Sequence, residues 1–502
     1  MKARRKASRS ALRPAQWAIE CLEERTLLTG NVLAAVLPGG NLLVLGDSKP
    51  NQISIQSSGG GLQISSLDGT TKINGSTNPF TANGVTGSVY VFLGQGNDVL
   101  QIGGATVAPT VSPAVTLTTT IPQNLLVITG NGNDTVNVED ASIGGSAAIF
   151  GGIGADTFTV GSPATGVPVS VGRNLLVVGG YGNSTVAVFD ANVTGNLTLI
   201  GNGSNDHIQV GYDEGLGIIG DESDTGHVNV GGNLTITDTG PGFTFGFAAF
   251  GGLGVIACST DPSCFGFTGC LALGGGASGF LGFFNGLCNW GQGCGSSGST
   301  SSGEHVAVAD VDVTGNLSIT TGSGKDEILV GAAHTPATDS NPLINLVFGP
   351  VFVGGNMKVD AGAGNDTVLL VEVSVTGNTV LDSGSGNDDI GVLDSSSFTG
   401  DFTIHAGRGS DSIVLSTDSF FSNVTINGGA GIDIVGLADS YFQQTVTING
   451  GPGNDTFLQT QVPFANDFVA GGPILNSVEN SSDVTASDFV AAFPWISALL
   501  GV

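Results

Sequence analysis

Basic side chains are scarce in this sequence: 13 Lys and Arg stand against 42 Asp and Glu, a formal net charge of −29. Seven of the 13 (Lys2, Arg4, Arg5, Lys6, Arg9, Arg13 and Arg25) crowd into residues 1–30 with three acidic residues, so the remaining body holds 6 basic side chains against 39 acidic ones. Nucleic acid and anionic membrane surfaces are gripped through arrays of Lys and Arg, and this body has none to offer; divalent cations are the partners its charge favours. Long apolar runs are missing too. No stretch reaches the roughly 18–20 consecutive apolar residues of a membrane span.

Cysteine is scarce and uneven, with five of the six (Cys258, Cys264, Cys270, Cys288 and Cys294) falling between Gly240 and Gly303. Their spacing lacks the C-x2-C pairs of zinc sites, and two disulfides with one thiol left over are expected, their pairing open. Histidines 207, 227, 305, 334 and 405 show no ligand spacing, and His207 and His405 fall on outward strand positions. No phosphate loop is present, because the glycine-rich corners lack a following Lys-Ser or Lys-Thr and open strands rather than helices.

What the chain does have is a repeat. Eleven times a small or polar residue, most often the Asn of Gly-Asn, stands ten positions before the last residue of a Gly-x-Gly-x-Asp corner or a close variant of it. Examples are Asn124 with Asp134, Asn316 with Asp326, and Asn423 with Asp433. Asp366, Asp388, Asp411, Asp433 and Asp455 follow one another at 22, 23, 22 and 22 residues. After the Asn, offsets one and three are apolar (Leu317 and Ile319); after the Asp, offsets two and four are (Ile328 and Val330). A third short apolar site precedes the next Gly-Asn (Val193, Val313, Val375, Phe398). Period-two alternation means strands, and a fixed 22-residue unit means a solenoid. The predicted fold is all-β: a right-handed parallel β-helix with about 22 residues and three short strands per coil, its hand following the rule for parallel crossovers. The 83 glycines mark corners rather than disorder.

Organisation follows from where the repeat holds. Residues 1–30 read as a basic export or sorting segment, 31–239 as coils, 240–303 as a Gly-, Phe- and Cys-rich insert projecting from a corner, 304–460 as further coils and 461–502 as a C-terminal cap. Within the first segment Cys21-Leu22-Glu23-Glu24-Arg25-Thr26-Leu27-Leu28-Thr29 resembles the L-E-x-R-x-L-L (LEPR-XLL type) motif of large bacterial surface and secreted proteins, with Glu24 where that motif often has Pro. The resemblance implies a secreted or cell-surface location.

Three corners match Gly-Gly-x-Gly-x-Asp-x-U-x, with U a large apolar residue: 151–159, 428–436 and 450–458. Six more keep the Gly-x-Gly-x-Asp core. They resemble the repeats-in-toxin (RTX) calcium motif, which implies Asp98, Asp134, Asp156, Asp326, Asp366, Asp388, Asp411, Asp433 and Asp455 as Ca²⁺ ligands beside backbone carbonyls. One copy per coil replaces that family's tandem nonapeptides, so its paired ligand geometry is not reproduced along the chain. Two unit charges stacked about 5 Å apart repel by roughly 1–3 kcal/mol, which a cation between coils would remove. The plain alternative is an Asp that accepts from the N–H groups of its own turn and stands in water.

The sequence thus points to a secreted or cell-surface scaffold or adhesin, with Ca²⁺ as candidate ligand and cell-surface glycans or other surface proteins as candidate partners. The alternative is a polysaccharide-active β-helix enzyme, a lyase or hydrolase. A lyase needs Arg or Lys beside the substrate carboxylate. Past residue 30 the chain has Lys49, Lys72, Arg173, Lys325, Lys358 and Arg408, each on a different coil. Asp388-Asp389 is the one adjacent Asp pair, and alternation sends its members to opposite faces.

Overall fold

A computed structural model describes residues 30–104, 118–162, 167–203, 205–211, 226–238, 249–250, 253–254, 272–273, 303–334, 346–460 and 473–495. Residues 1–29 and all six cysteines lie outside these, so the export motif and the expected disulfides do too. The described chain is a parallel β-helix. Eleven of the coils contribute one strand to each of three sheets, as Leu317–Thr321, Glu327–Val330 and Val311–Val313 do. In the first sheet fourteen strands, from Leu42–Leu45 to Ile474–Asn476, pair in parallel in stacking order. At about 4.8 Å per coil that is a rod of roughly 60 Å.

The registers are those the repeat requires. Leu317 pairs with Met357, Ile328 with Val368 and Val313 with Val353. Leu317, Ile319, Ile328 and Val330 are all at most 1% exposed, inside one continuous apolar core. The third strand points its short apolar site inward as expected, and in the last coils this becomes a stack of aromatic rings, Phe398 on Phe420 on Phe442 with centroids 5.3 and 5.0 Å apart. No single coil could bury these side chains; the neighbour above and the neighbour below do it.

Two corners per coil need unusual backbone. In the Gly-x-Gly-x-Asp corner the second glycine takes a φ near +150°, as at Gly364 (153°) and Gly386 (147°), and a Cβ there would overlap the carbonyl oxygen of the coil below. The corner after the second strand uses Asp in the left-handed region, at Asp140, Asp190, Asp310 and Asp439, which short polar side chains tolerate.

The ends differ from a plain stack. At the start, Asn31–Val36 runs antiparallel to Leu42–Leu45, and Gln52–Ser58, Gly61–Ser66 and Phe80–Asn83 form an antiparallel meander on the first coil. At the other end lies the segment expected to cap the stack, 461–502, of which residues 473–495 are described. Ile474–Asn476 and Asn480–Val484 add a last partial coil. Helix α1 (Ala486–Ala492), capped by Thr485, then lies along the flank of the second sheet. Phe489 and Phe493 pack there on Leu329, Leu369, Val371, Leu393, Val414 and Ala438, and Trp495 Nε1 donates to Ser412 Oγ at 2.7 Å. The reason is local: the outward column of that sheet runs Leu369, Gly391, Val414, Gly436, Leu458. Gly391 leaves a slot for Trp495, and Gly436 leaves one for Phe489 and Phe493.

Candidate functional site, a buried carboxylate ladder

The nine corner aspartates expected as metal ligands fall in one column on successive coils. They do not stand in water. All nine are between 0 and 2% exposed, because the corner turns its last side chain inward, toward the edge of the core. Nor is the main hydrogen-bond donor their own turn: Oδ1 of each accepts from the backbone N–H one coil earlier. Asp98 N–H donates to Asp134, Asp326 N–H to Asp366, Asp366 N–H to Asp388, and Asp388 N–H to Asp411, at 2.8, 2.8, 2.9 and 2.9 Å. Asp411 donates to Asp433 and Asp433 to Asp455, both at 3.0 Å. The solvated-turn alternative therefore fails on both counts. Own-turn bonds supplement the ladder in places, as from Gly152 N–H to Asp156 Oδ2 at 3.3 Å.

The column contains members beyond the nine that the corner motif picks out. Asn51 opens it, donating to Asp98 at 2.7 Å, and Ser184 and Asp206 continue it. Glu304 takes the seat where the insert interrupts the corner, accepting from Asp206 N–H at 2.6 Å and donating to Asp326 at 2.8 Å. Glu479 accepts from Asp455 at 2.8 Å and closes the column. Glu304 does carry a sequence signal: Val306 and Val308 follow at offsets two and four, as after a corner Asp. Glu479 has no such followers.

In the three full Gly-Gly-x-Gly-x-Asp corners Oδ2 points the other way, toward the first glycine, a position that is Ala, Ser or Thr in five other corners and Leu93 in the one ending at Asp98. A Cβ at Gly151, Gly428 or Gly450 would run into Oδ2 of Asp156, Asp433 or Asp455, which is the physical reason the motif begins with glycine. Buried Oδ2 atoms of Asp98, Asp134, Asp326, Asp366, Asp388, Asp411, Asp433 and Asp455 have no hydrogen-bond donor. Burial, against the help of the neighbouring N–H, pushes Asp98, Asp366 and Asp411 up to about 7 and Asp156 up to about 6. Asp134, Asp326, Asp388 and Asp433 are raised for the same reason. Thr129, Thr321 and Ser383, which stand at the first-glycine position in three coils, give their hydroxyl protons to the carbonyl oxygens of Phe150, Ala361 and Ala406 instead.

At the insert the first-glycine position itself carries an acid. Asp238, fully buried beside Thr321, lies close to Asp206 and Glu304; burial and these negative neighbours raise its pKa far above the carboxylate range. Among the described residues no group of three or more His, Cys, Asp or Glu is arranged to hold a metal ion. A cation in the ladder would therefore take carboxylate oxygen from one or two coils and backbone carbonyls for the rest, a hard-oxygen set suited to Ca²⁺.

A second ladder runs along the Asn corner in the opposite sense. Here the side chain of one coil accepts from the N–H of the next: Asn356 N–H donates to Asn316, Asn378 to Asn356 and Asp401 to Asn378, at 2.8, 2.8 and 3.1 Å. Asp388 and Asp389 point to opposite faces, Asp388 1% exposed inside and Asp389 on the outward column.

No family model matches the chain, and no curated protein matches it. Among solved structures it is similar to a hyperactive, Ca²⁺-dependent, β-helical antifreeze protein from an Antarctic bacterium. Identity is 16% and the TM-score 0.34, over 76% of this chain and 80% of that one.

Proposed function

We propose that this chain is a structural rod, a secreted or cell-surface scaffold of adhesin-like character. The carrying observation is where its polar chemistry is placed. The two repeated side chains, corner Asp and corner Asn, reach to the backbone of a neighbouring coil, so the motif that defines the sequence joins coil to coil. Partners of such a rod would be surface glycans or other surface proteins, met along its outward columns. Brief protease treatment of intact cells producing the full chain tests the location. The chain should be cleaved while a cytosolic marker survives; a chain protected until lysis retires the surface reading.

The orphaned Oδ2 atoms favour a finer reading, in which Ca²⁺ compensates the ladder at Asp98, Asp134, Asp156, Asp326, Asp366, Asp388, Asp411, Asp433 and Asp455. A buried carboxylate is stable either protonated or beside a cation. The overall acidity of the body supplies the field that would draw divalent ions in.

A further inference from the structure

The ten-residue offset vanishes across the insert, and only the followers of Glu304 hint that His305 holds the place after a corner that His207 holds after Asp206. In the structure they are consecutive rungs on the outward column of the second sheet: His207 pairs with His305, and His305 with Glu327. Thr185 precedes them and Thr367 follows, so two imidazoles and a carboxylate replace the threonines of this column where the chain is interrupted. The ring centroids are 6.2 Å apart with planes inclined at 46°. His305 Nδ1 lies 2.8 Å from Glu327 Oε2, and the His305 side chain is 49% exposed.

A carboxylate can only accept, so Nδ1 of His305 carries the proton, and in the neutral ring Nε2 keeps its lone pair. Carboxylates orient metal-bound histidines in this way, fixing the tautomer and raising the basicity of the free nitrogen. Two imidazoles bound to one zinc ion at about 2.0–2.1 Å hold their ring centres about 5–6 Å apart, within a small side-chain rotation of the observed separation. We propose that His207 and His305, with Glu327 orienting the second ring, form a surface site for a divalent transition ion of zinc's kind. Imidazole selects zinc, copper or nickel over calcium, so the site is chemically distinct from the oxygen-only ladder. Glu304, the residue before His305, turns inward to that ladder. An ion here would tie together coils whose strands are nearly a hundred residues apart in sequence, at the place where covalent continuity is weakest.

Calorimetric titration of the full chain with Zn²⁺ tests this, with cysteines alkylated and millimolar Ca²⁺ present so that thiols and corner carboxylates do not report. Wild type should bind one equivalent that His207→Asn and His305→Asn each weaken at least tenfold. Glu327→Gln should weaken it about 10- to 100-fold, the usual effect of removing such an orienting partner. His405→Asn, an outward histidine elsewhere, should change nothing. All four side chains are outward, and unchanged circular dichroism confirms that the variants fold. Zinc binding equal in wild type and both histidine variants, or no binding by wild type, overturns the proposal.

Discussion

At the scale of one residue, the corner aspartate does something a surface turn Asp does not: it holds a carboxyl in the core with one oxygen bonded and, in eight of the nine corners, the other bare. Protonation removes that strain. The folded values of Asp98, Asp366 and Asp411 near 7 and Asp156 near 6 lie above the unfolded value of about 3.9, so the folded chain binds protons more tightly. Their contribution to stability is complete near pH 4 and is lost as pH rises through 6 to 7. In chelator, the melting temperature of the full chain should therefore fall by roughly 5 °C or more between pH 5 and pH 8. Millimolar Ca²⁺ should restore it at pH 8 and do little at pH 5, where protons occupy the same oxygens. Replacing Asp366, Asp388, Asp411 and Asp433 together by Asn should flatten both responses. A wild type more stable at pH 8 than at pH 5 in chelator would show that these carboxylates are charged and paired, and no response to Ca²⁺ would retire the calcium reading.

At the scale of an element, the helix on the flank is a lock fitted to two missing side chains. Phe493 is fully buried against outward residues of the second sheet, and Gly436 exists in the column to admit it. Phe493→Ala should cost about 3–5 kcal/mol locally and free the Trp495 indole. In a background where Trp17 and Trp290 are Phe, the emission of Trp495 should shift red while the β-sheet circular dichroism stays put; an unmoved emission maximum would mean that the helix docks without Phe493. The helix shows where sequence reading stops. Coils are legible because alternation and a constant offset are local properties, and they place Leu317, Ile328, Val368 and Phe398 inside. The docking of 486–495 is not legible, because Gly391 and Gly436 look like any other glycine among 83 until the column they belong to is known. The direction of the ladder is hidden for the same reason: whether an Asp at the end of a corner turns in or out depends on the coil next to it. Glu304 shows only through Val306 and Val308, and the His207–His305 pair is split in the sequence by an insert across which the strands still pair.

At the scale of the molecule, strands lie across the rod and their backbone hydrogen bonds lie along it. Pulling on the two ends therefore loads the bonds of one coil interface at a time, peeling rather than shearing. Each released coil would yield about 22 residues of slack, a contour gain of roughly 75 Å. Single-molecule stretching of the full chain should show repeated steps of that size from the regular coils between Met357 and Thr460, and one large release would mean that coils fail together. The Asp ladder that crosses these interfaces helps set the force of every step, so bound protons or cations would tune it. Under tension the strut becomes a shock absorber: a short rigid post that lengthens by increments and dissipates work each time, while the coils that are still stacked keep their grip.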